Sequence, residues 1–136
     1  MDSNNVVVHN YDRSFLRIVG EAFVGSGVGF FLSFPPMAAI SAVNDYQVSD
    51  FTLAFFYSSY ILGASVGVYV IAQNGNKDLS FLNTLGYGAL GGLIAVTPLL
   101  FNVIDESGIT YFSLPLLGAL IYANMIAPFP VPTEKT

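Results

Sequence analysis

Residues 51–72 read FTLAFFYSSYILGASVGVYVIA, a run without a single charged side chain. A helix needs about 20 apolar residues to cross the hydrocarbon core of a bilayer, and this run is long enough. Three more apolar stretches accompany it, at about residues 18–43, 81–104 and 109–128. The sequence therefore predicts an all-α integral membrane protein with four transmembrane helices.

Short polar segments separate the four stretches and combine turn formers with charge, as in NGNKD at 74–78. Because these connections are short, we expect consecutive helices to pack as an antiparallel bundle. A β-barrel would alternate apolar and polar residues along each strand, whereas these runs are uniformly apolar. We place a polar leader at 1–17, the transmembrane domain at 18–128 and a Pro-rich tail at 129–136, with no cleavable signal peptide expected.

Composition excludes several classes of function. The chain is 54% hydrophobic and 10% charged, with a formal net charge of −5, four Lys and Arg residues and no cysteine. Nucleic-acid binding requires a basic surface, and thiolate metal sites require cysteine. The single histidine, His9, lies in the polar leader. We therefore predict a protein that is not an enzyme, with no metal site and no nucleic-acid partner, while a bound lipid or pigment stays open.

A proline pair interrupts the first stretch. Pro35 and Pro36 remove two backbone donors and crowd the preceding turn. Either a helix ends at Phe34 and a short segment follows, or one longer helix is kinked there. We predict the break, and we expect Pro98 and Pro115 to kink the third and fourth helices.

The charged residues predict an orientation. With four spans, all the Lys and Arg residues fall on one side of the membrane, at positions Arg13, Arg17, Lys77 and Lys135. The opposite side carries the acidic residues Asp45, Asp50, Asp105 and Glu106. The positive-inside rule then places both termini on the inner side. The acidic balance of the chain favours a bacterial inner membrane over a mitochondrial inner membrane.

Small residues recur at a spacing of four in every span. Such stripes let helix backbones approach closely in lipid. The candidate packing residues are Gly25, Gly29, Ser59, Gly63, Gly67, Gly88, Gly92, Ala119 and Ala123. The stripes serve either packing within one bundle or docking of a partner helix, and four striped spans favour leaving some small-residue surface for a partner.

Glu21 is the one ionisable residue well inside a span. Because Arg17 precedes it by one helical turn, the spacing predicts an intramembrane ion pair. A carboxylate at this depth is otherwise typical of a proton or ion path. Asn124, near the end of the fourth span, is expected to hydrogen-bond to a neighbouring helix.

Two stretches resemble known membrane proteins, namely LGASVGVYVIAQNGNKDLSFLNTLGYGALGGLIAV at 62–96 and LPLLGALIYANM at 114–125. They look like small glycine-rich bacterial membrane proteins of unassigned function. They also resemble the Tim17/Tim22/Tim23 family, in which an aspartate precedes a Gly-xxx-Gly helix, as Asp78 precedes Gly88 and Gly92. RIVGEAFVGSGVG at 17–29 is similar to that family's first helix, whereas Asn74 stands where the family has arginine. The resemblance implies a four-helix glycine-zipper protein of a translocase or respiratory complex.

Together these features predict a non-enzymatic accessory or scaffold subunit of a larger membrane protein complex. The partners would be the lipid bilayer and other transmembrane subunits. The alternative is a small channel, carrier or translocase component that uses a broken first helix and Glu21.

Overall fold

The computed structural model describes residues 15–43, 49–103 and 108–128. Four α-helices follow one another: α1 at Phe15–Val43, α2 at Asp50–Ala72, α3 at Phe81–Val96 and α4 at Ile109–Ile121. A 3₁₀ helix, Thr97–Phe101, continues α3, and a π-helix, Tyr122–Ile126, continues α4. Of the residues in these three ranges, 87% are helical and none is in a strand.

With these continuations included, all four helices are long and apolar enough to cross a membrane, as predicted. They carry large apolar side chains on their outer surfaces, for example Leu16 (80% exposed) on α1 and Leu82 (75% exposed) on α3. Lipid solvates such a surface, whereas water does not. The chain is an integral, multi-pass membrane protein.

Several sequence predictions concern parts of the chain outside the described residues. These are most of the polar leader, including His9 and Arg13, the acidic residues Asp45, Asp105 and Glu106, and the tail with Lys135.

Serine caps begin two of the helices. The Ser49 hydroxyl accepts a hydrogen bond from the Thr52 backbone N–H (3.2 Å) at the start of α2. The Ser80 hydroxyl accepts one from the Asn83 N–H (3.3 Å) at the start of α3. Such caps satisfy donors that the first turn of a helix leaves free, so the polar residues beside each apolar run fix where the helix begins.

The predicted break at Pro35-Pro36 is not found, and the structure corrects it. α1 continues through both prolines to Val43. The fixed φ of proline suits a helix, and the pair removes only two donors. A true break inside lipid would leave more backbone groups unpaired, so a continuous helix is the better solution there. At Pro98, by contrast, α3 changes into the 3₁₀ helix, while Pro115 lies inside α4.

The bundle consists of two closely packed helix pairs. In the first helix pair, α1 and α2, a Cβ atom added to Gly67 would lie 2.6 Å from the Gly25 Cα atom, and one added to Gly63 would lie 2.7 Å from the Gly29 Cα atom.

The second helix pair, α3 and α4, packs in a similar way. A Cβ atom on Gly118 would overlap the Tyr87 carbonyl oxygen, and one on Gly91 would overlap the Leu114 carbonyl oxygen. In both pairs, glycine removes the side chain that would otherwise hold the backbones apart.

The contacts between the two pairs, which we call the seam, differ at the two ends of the bundle. At the Phe112 end, the rings of Phe30, Tyr60 and Phe112 pack together with centroids 5.0 to 5.1 Å apart. At the opposite end, which we call the Arg17 end after Arg17 of α1, polar side chains cross the seam. The buried apolar core runs from the middle of the bundle to the Arg17 end and consists of Val68, Ala72, Leu79, Ala119, Tyr122, Ala123 and Ala127.

Candidate functional site

A buried ion pair lies at the Arg17 end. Arg17 and Glu21 are one turn apart on α1, and Arg17 Nε donates to Glu21 Oε1 at 3.1 Å. The Glu21 side chain is 0% exposed and the Arg17 side chain 15% exposed. A carboxylate is expensive to bury unless it is paired and hydrogen-bonded, so its remaining oxygen also needs a donor.

Asn124 of the π-helix supplies that donor. Its amide Nδ2 donates to Glu21 Oε2 (2.5 Å) and to the Leu120 carbonyl oxygen (3.1 Å). Its Oδ1 accepts from Arg17 Nη2 at 3.2 Å. Arg17, Glu21 and Asn124 form a closed ring of contacts between α1 and the end of α4, and we call these three residues the Glu21 cluster.

The π-helix brings Asn124 to this position. Its wider turn is closed by the Ala127 N–H, which donates to the Tyr122 carbonyl oxygen at 2.8 Å. Tyr122, Ala123 and Asn124 are consecutive and all buried. A π-turn places an extra residue in the helix, and such turns are frequent at functional sites.

The connection between α2 and α3 covers the cluster. Gly75 lies against the Arg17 guanidinium, and a Cβ atom on Gly75 would overlap Arg17 Nη1. The neighbouring Asn76 is 1% exposed, and its Nδ2 donates to the Pro128 carbonyl oxygen at 3.1 Å. Its Oδ1 accepts from the Asp78 backbone N–H at 3.2 Å. This connection therefore contacts both α1 and the chain beyond the π-helix.

The arrangement indicates a structural linkage. Both Glu21 oxygens accept from protein donors, so the carboxylate is not directed into an open site. Within the described ranges, no group of three His, Cys, Asp or Glu side chains could hold a metal ion. Chemically, the cluster joins helices through charge-assisted hydrogen bonds.

The predicted packing residues fall at different interfaces. Gly25, Gly29, Gly63 and Gly67 meet one another between α1 and α2. Gly88 faces the Ser65 hydroxyl, and Gly92 faces the side chains of Ile61 and Tyr57. Ala119 and Ala123 are buried in the core, and Ser59 is half-buried.

Sequence reasoning missed two contributors to the site, Gly75 and Asn76. Both belong to a polar segment with the composition of an exposed turn, so its pattern gave no signal of burial. Only the approach of Arg17 from α1 and of Pro128 from the end of α4 makes them part of the site.

The Ser65 hydroxyl is buried on α2 without a hydrogen-bond partner among the described residues. Ser65→Ala is expected to raise the free energy of unfolding by about 1 kcal/mol, because it removes an unsatisfied polar group. Unfolding by SDS titration in mixed micelles measures the change. Ser33→Ala is the matched control, since the buried Ser33 hydroxyl donates to the Phe30 carbonyl oxygen (3.1 Å) and its removal should not stabilise. Equal losses in both variants would contradict the assignment.

Comparisons of the chain with family models, with curated proteins and with solved structures find no match. The resemblances to small glycine-rich bacterial membrane proteins and to the Tim17/Tim22/Tim23 family therefore stay predictions. What the protein does is inferred from the geometry of its own residues.

Proposed function

We propose that this protein is a non-enzymatic accessory or scaffold subunit of a larger membrane protein complex. In this proposal its four helices form an antiparallel bundle, and small residues on the outer surface dock transmembrane helices of other subunits. The observation that carries the proposal is a set of glycines on outward faces, which the packing of the bundle itself does not require.

The outward glycines lie on α1 and α3. A Cβ atom on Gly20, Gly27 or Gly86 would meet nothing within 4 Å. On α1, Gly20 and Gly27 alternate with the exposed rings of Phe23 and Phe31 at helical spacing, and we call these four residues the Gly27 face. Lipid alone does not require such notches, whereas a second helix can insert a side chain into each of them.

The Glu21 cluster supports a scaffold over a transport role. The alternative function, a small channel, carrier or translocase component, uses a broken first helix and Glu21. α1 is continuous, and Glu21 is bonded to both Arg17 and Asn124. A carboxylate whose two oxygens are both bonded within the bundle fits a packing subunit better than an ion path.

The orientation and the membrane are part of the same proposal. The Arg17 end, with the exposed Lys77 close by in the chain connection, would face the inner side, in accordance with the positive-inside rule. A bacterial inner membrane is the favoured location, and the Tim17/Tim22/Tim23 resemblance would instead place the bundle beside a translocase.

Gly27→Leu tests the docking surface. Native-gel migration in mild detergent, followed by mass spectrometry, is expected to show the unchanged protein in a band with other membrane subunits. The variant is expected to leave that band, because leucine fills the notch that a partner helix would occupy. Its thermal stability should stay unchanged, since nothing in the bundle lies within 4 Å of a Cβ atom at Gly27.

Gly86→Leu is the matched control for the choice of face, since it fills an equally open notch on α3. Loss of the complex in the Gly86 variant alone would move the docking surface to α3. Migration of the unchanged protein as a lone monomer would contradict the scaffold proposal. Ion or solute flux through reconstituted protein that Glu21→Gln abolishes would favour the transport alternative.

A further inference from the structure

The two helix pairs are packed more closely within themselves than across the seam that joins them. Within each pair, backbones touch through glycine, as at Gly67 against Gly25 and at Gly118 against the Tyr87 carbonyl oxygen. Such contacts cannot lengthen without losing the packing that holds the pair together. Any change of shape in the bundle is therefore expected at the seam.

At the Arg17 end, side-chain hydrogen bonds cross the seam beside the buried apolar residues Ala72, Leu79 and Ala127. Asn124 bonds to both Arg17 and Glu21, and Asn76 bonds to the Pro128 carbonyl oxygen. Polar bonds of this kind can be exchanged for bonds to water. Arg17 lies in the first turn of α1, at the end of a span.

The Phe112 end is held differently. Phe30, Tyr60 and Phe112 pack ring against ring, and the Tyr60 hydroxyl donates to the Phe112 carbonyl oxygen at 2.8 Å. Water offers no replacement for ring packing, so this end resists separation.

Two features, one in the middle of the seam and one at the Arg17 end, point to a second arrangement of the seam. The Ser65 hydroxyl is buried against Gly88 of α3, without a partner among residues 15–43, 49–103 and 108–128. A hydroxyl left unsatisfied in the closed seam would gain a partner once water entered. The π-helix is the other feature, because a return to α-helical geometry would rotate Asn124 away from Glu21.

We propose that the Glu21 cluster is a latch, which holds the two helix pairs closed at the Arg17 end and opens the seam there when it is released. The Phe112 end acts as the hinge and stays closed. Opening admits water from the Arg17 end to Glu21 and Ser65. This inference goes beyond the docking function and does not depend on it, since it concerns the isolated chain.

Distances between spin labels test the latch directly. The chain contains no cysteine, so labels can be placed without removing any native residue. One pair of labels, at Leu16→Cys on α1 and Met125→Cys at the end of α4, reports on the Arg17 end. A second pair, at Phe31→Cys and Ile109→Cys, reports on the Phe112 end. All four positions are exposed.

Asn124→Leu removes the amide and keeps a side chain of similar size. In lipid nanodiscs, the distribution of distances at the Arg17 end is expected to broaden and to shift to longer values. The distance at the Phe112 end should not change. Glu21→Gln, a milder change, should produce the same shift in a smaller fraction of molecules.

Tyr60→Phe is the matched control, since it removes only the bond to the Phe112 carbonyl oxygen and should leave the Arg17 end closed. An unchanged distance at the Arg17 end in both folded cluster variants would overturn the proposal. Failure of both to fold, while Tyr60→Phe folds, would also overturn it, because the cluster would then be core and not a latch.

Discussion

Gly67→Ala is expected to lower the free energy of unfolding by about 3 kcal/mol, the upper end of the usual cost of overpacking. The added Cβ atom would lie 2.6 Å from the Gly25 Cα atom and 2.8 Å from the Val24 carbonyl oxygen. Both are backbone atoms, which no change of rotamer can move aside. α1 must therefore shift away from α2, and the neighbouring contact of Gly29 with Gly63 loosens with it. SDS titration in mixed micelles measures the loss.

Gly27→Ala is the matched control on the facing helix. A Cβ atom there meets nothing within 4 Å, so the substitution adds a methyl group to an open surface. Because alanine is the better helix former, the free energy of unfolding should stay unchanged or rise slightly. Similar small effects of Gly67→Ala and Gly27→Ala would mean that α1 and α2 do not touch through these glycines.

The contrast between these two glycines shows where sequence reasoning stops. Gly25, Gly27 and Gly29 stand at every second position. The spacing of small residues alone therefore does not decide which of two faces of α1 packs against a neighbouring helix. The packed face is the one that lies opposite the backbone of a neighbouring helix. Here Gly63 and Gly67 of α2 lie against Gly29 and Gly25. Gly27 is left on the outer surface.

The existence of four membrane-length helices could be predicted because it depends on local properties. Length, hydropathy and polar connections decide whether a segment spans a bilayer, and all three can be read from a run such as residues 51–72. The continuity of α1 through Pro35 and Pro36 could not be read in this way. In water, a proline pair ends a helix because the freed carbonyl groups are solvated. In lipid, a broken helix costs more free energy than the two missing hydrogen bonds.

In the candidate site, likewise, only the contact between residues close in sequence could be predicted in full. The ion pair of Arg17 and Glu21 was predicted from a spacing of four residues. Asn124 was expected to bond to a neighbouring helix, but its partners are separated from it by more than 100 residues in sequence. The contribution of Asn76 is equally remote, since Pro128 reaches it only through the fold.

Arg17→Met is expected to lower the free energy of unfolding by about 3 kcal/mol, since it leaves a buried carboxylate without its countercharge. Because the missing countercharge causes this loss, a second substitution at Glu21 should restore part of the stability. Adding Glu21→Gln removes the unpaired charge and keeps an oxygen that can accept from the Asn124 amide. The double variant should then lose only about 1 kcal/mol, less than Arg17→Met alone. A double-mutant cycle measured by SDS titration in mixed micelles gives the coupling free energy.

Lys77→Met is the control for removing a positive charge near the same end of the bundle. Lys77 is exposed, so its loss should change the free energy of unfolding by less than about 0.5 kcal/mol. A loss in Arg17→Met no larger than that in Lys77→Met would show that the pair is solvated in the membrane. A double variant less stable than Arg17→Met would show that Glu21 stabilises the bundle through Asn124 and not through Arg17. The rescue therefore separates a charge that needs its partner from a carboxylate that only accepts hydrogen bonds.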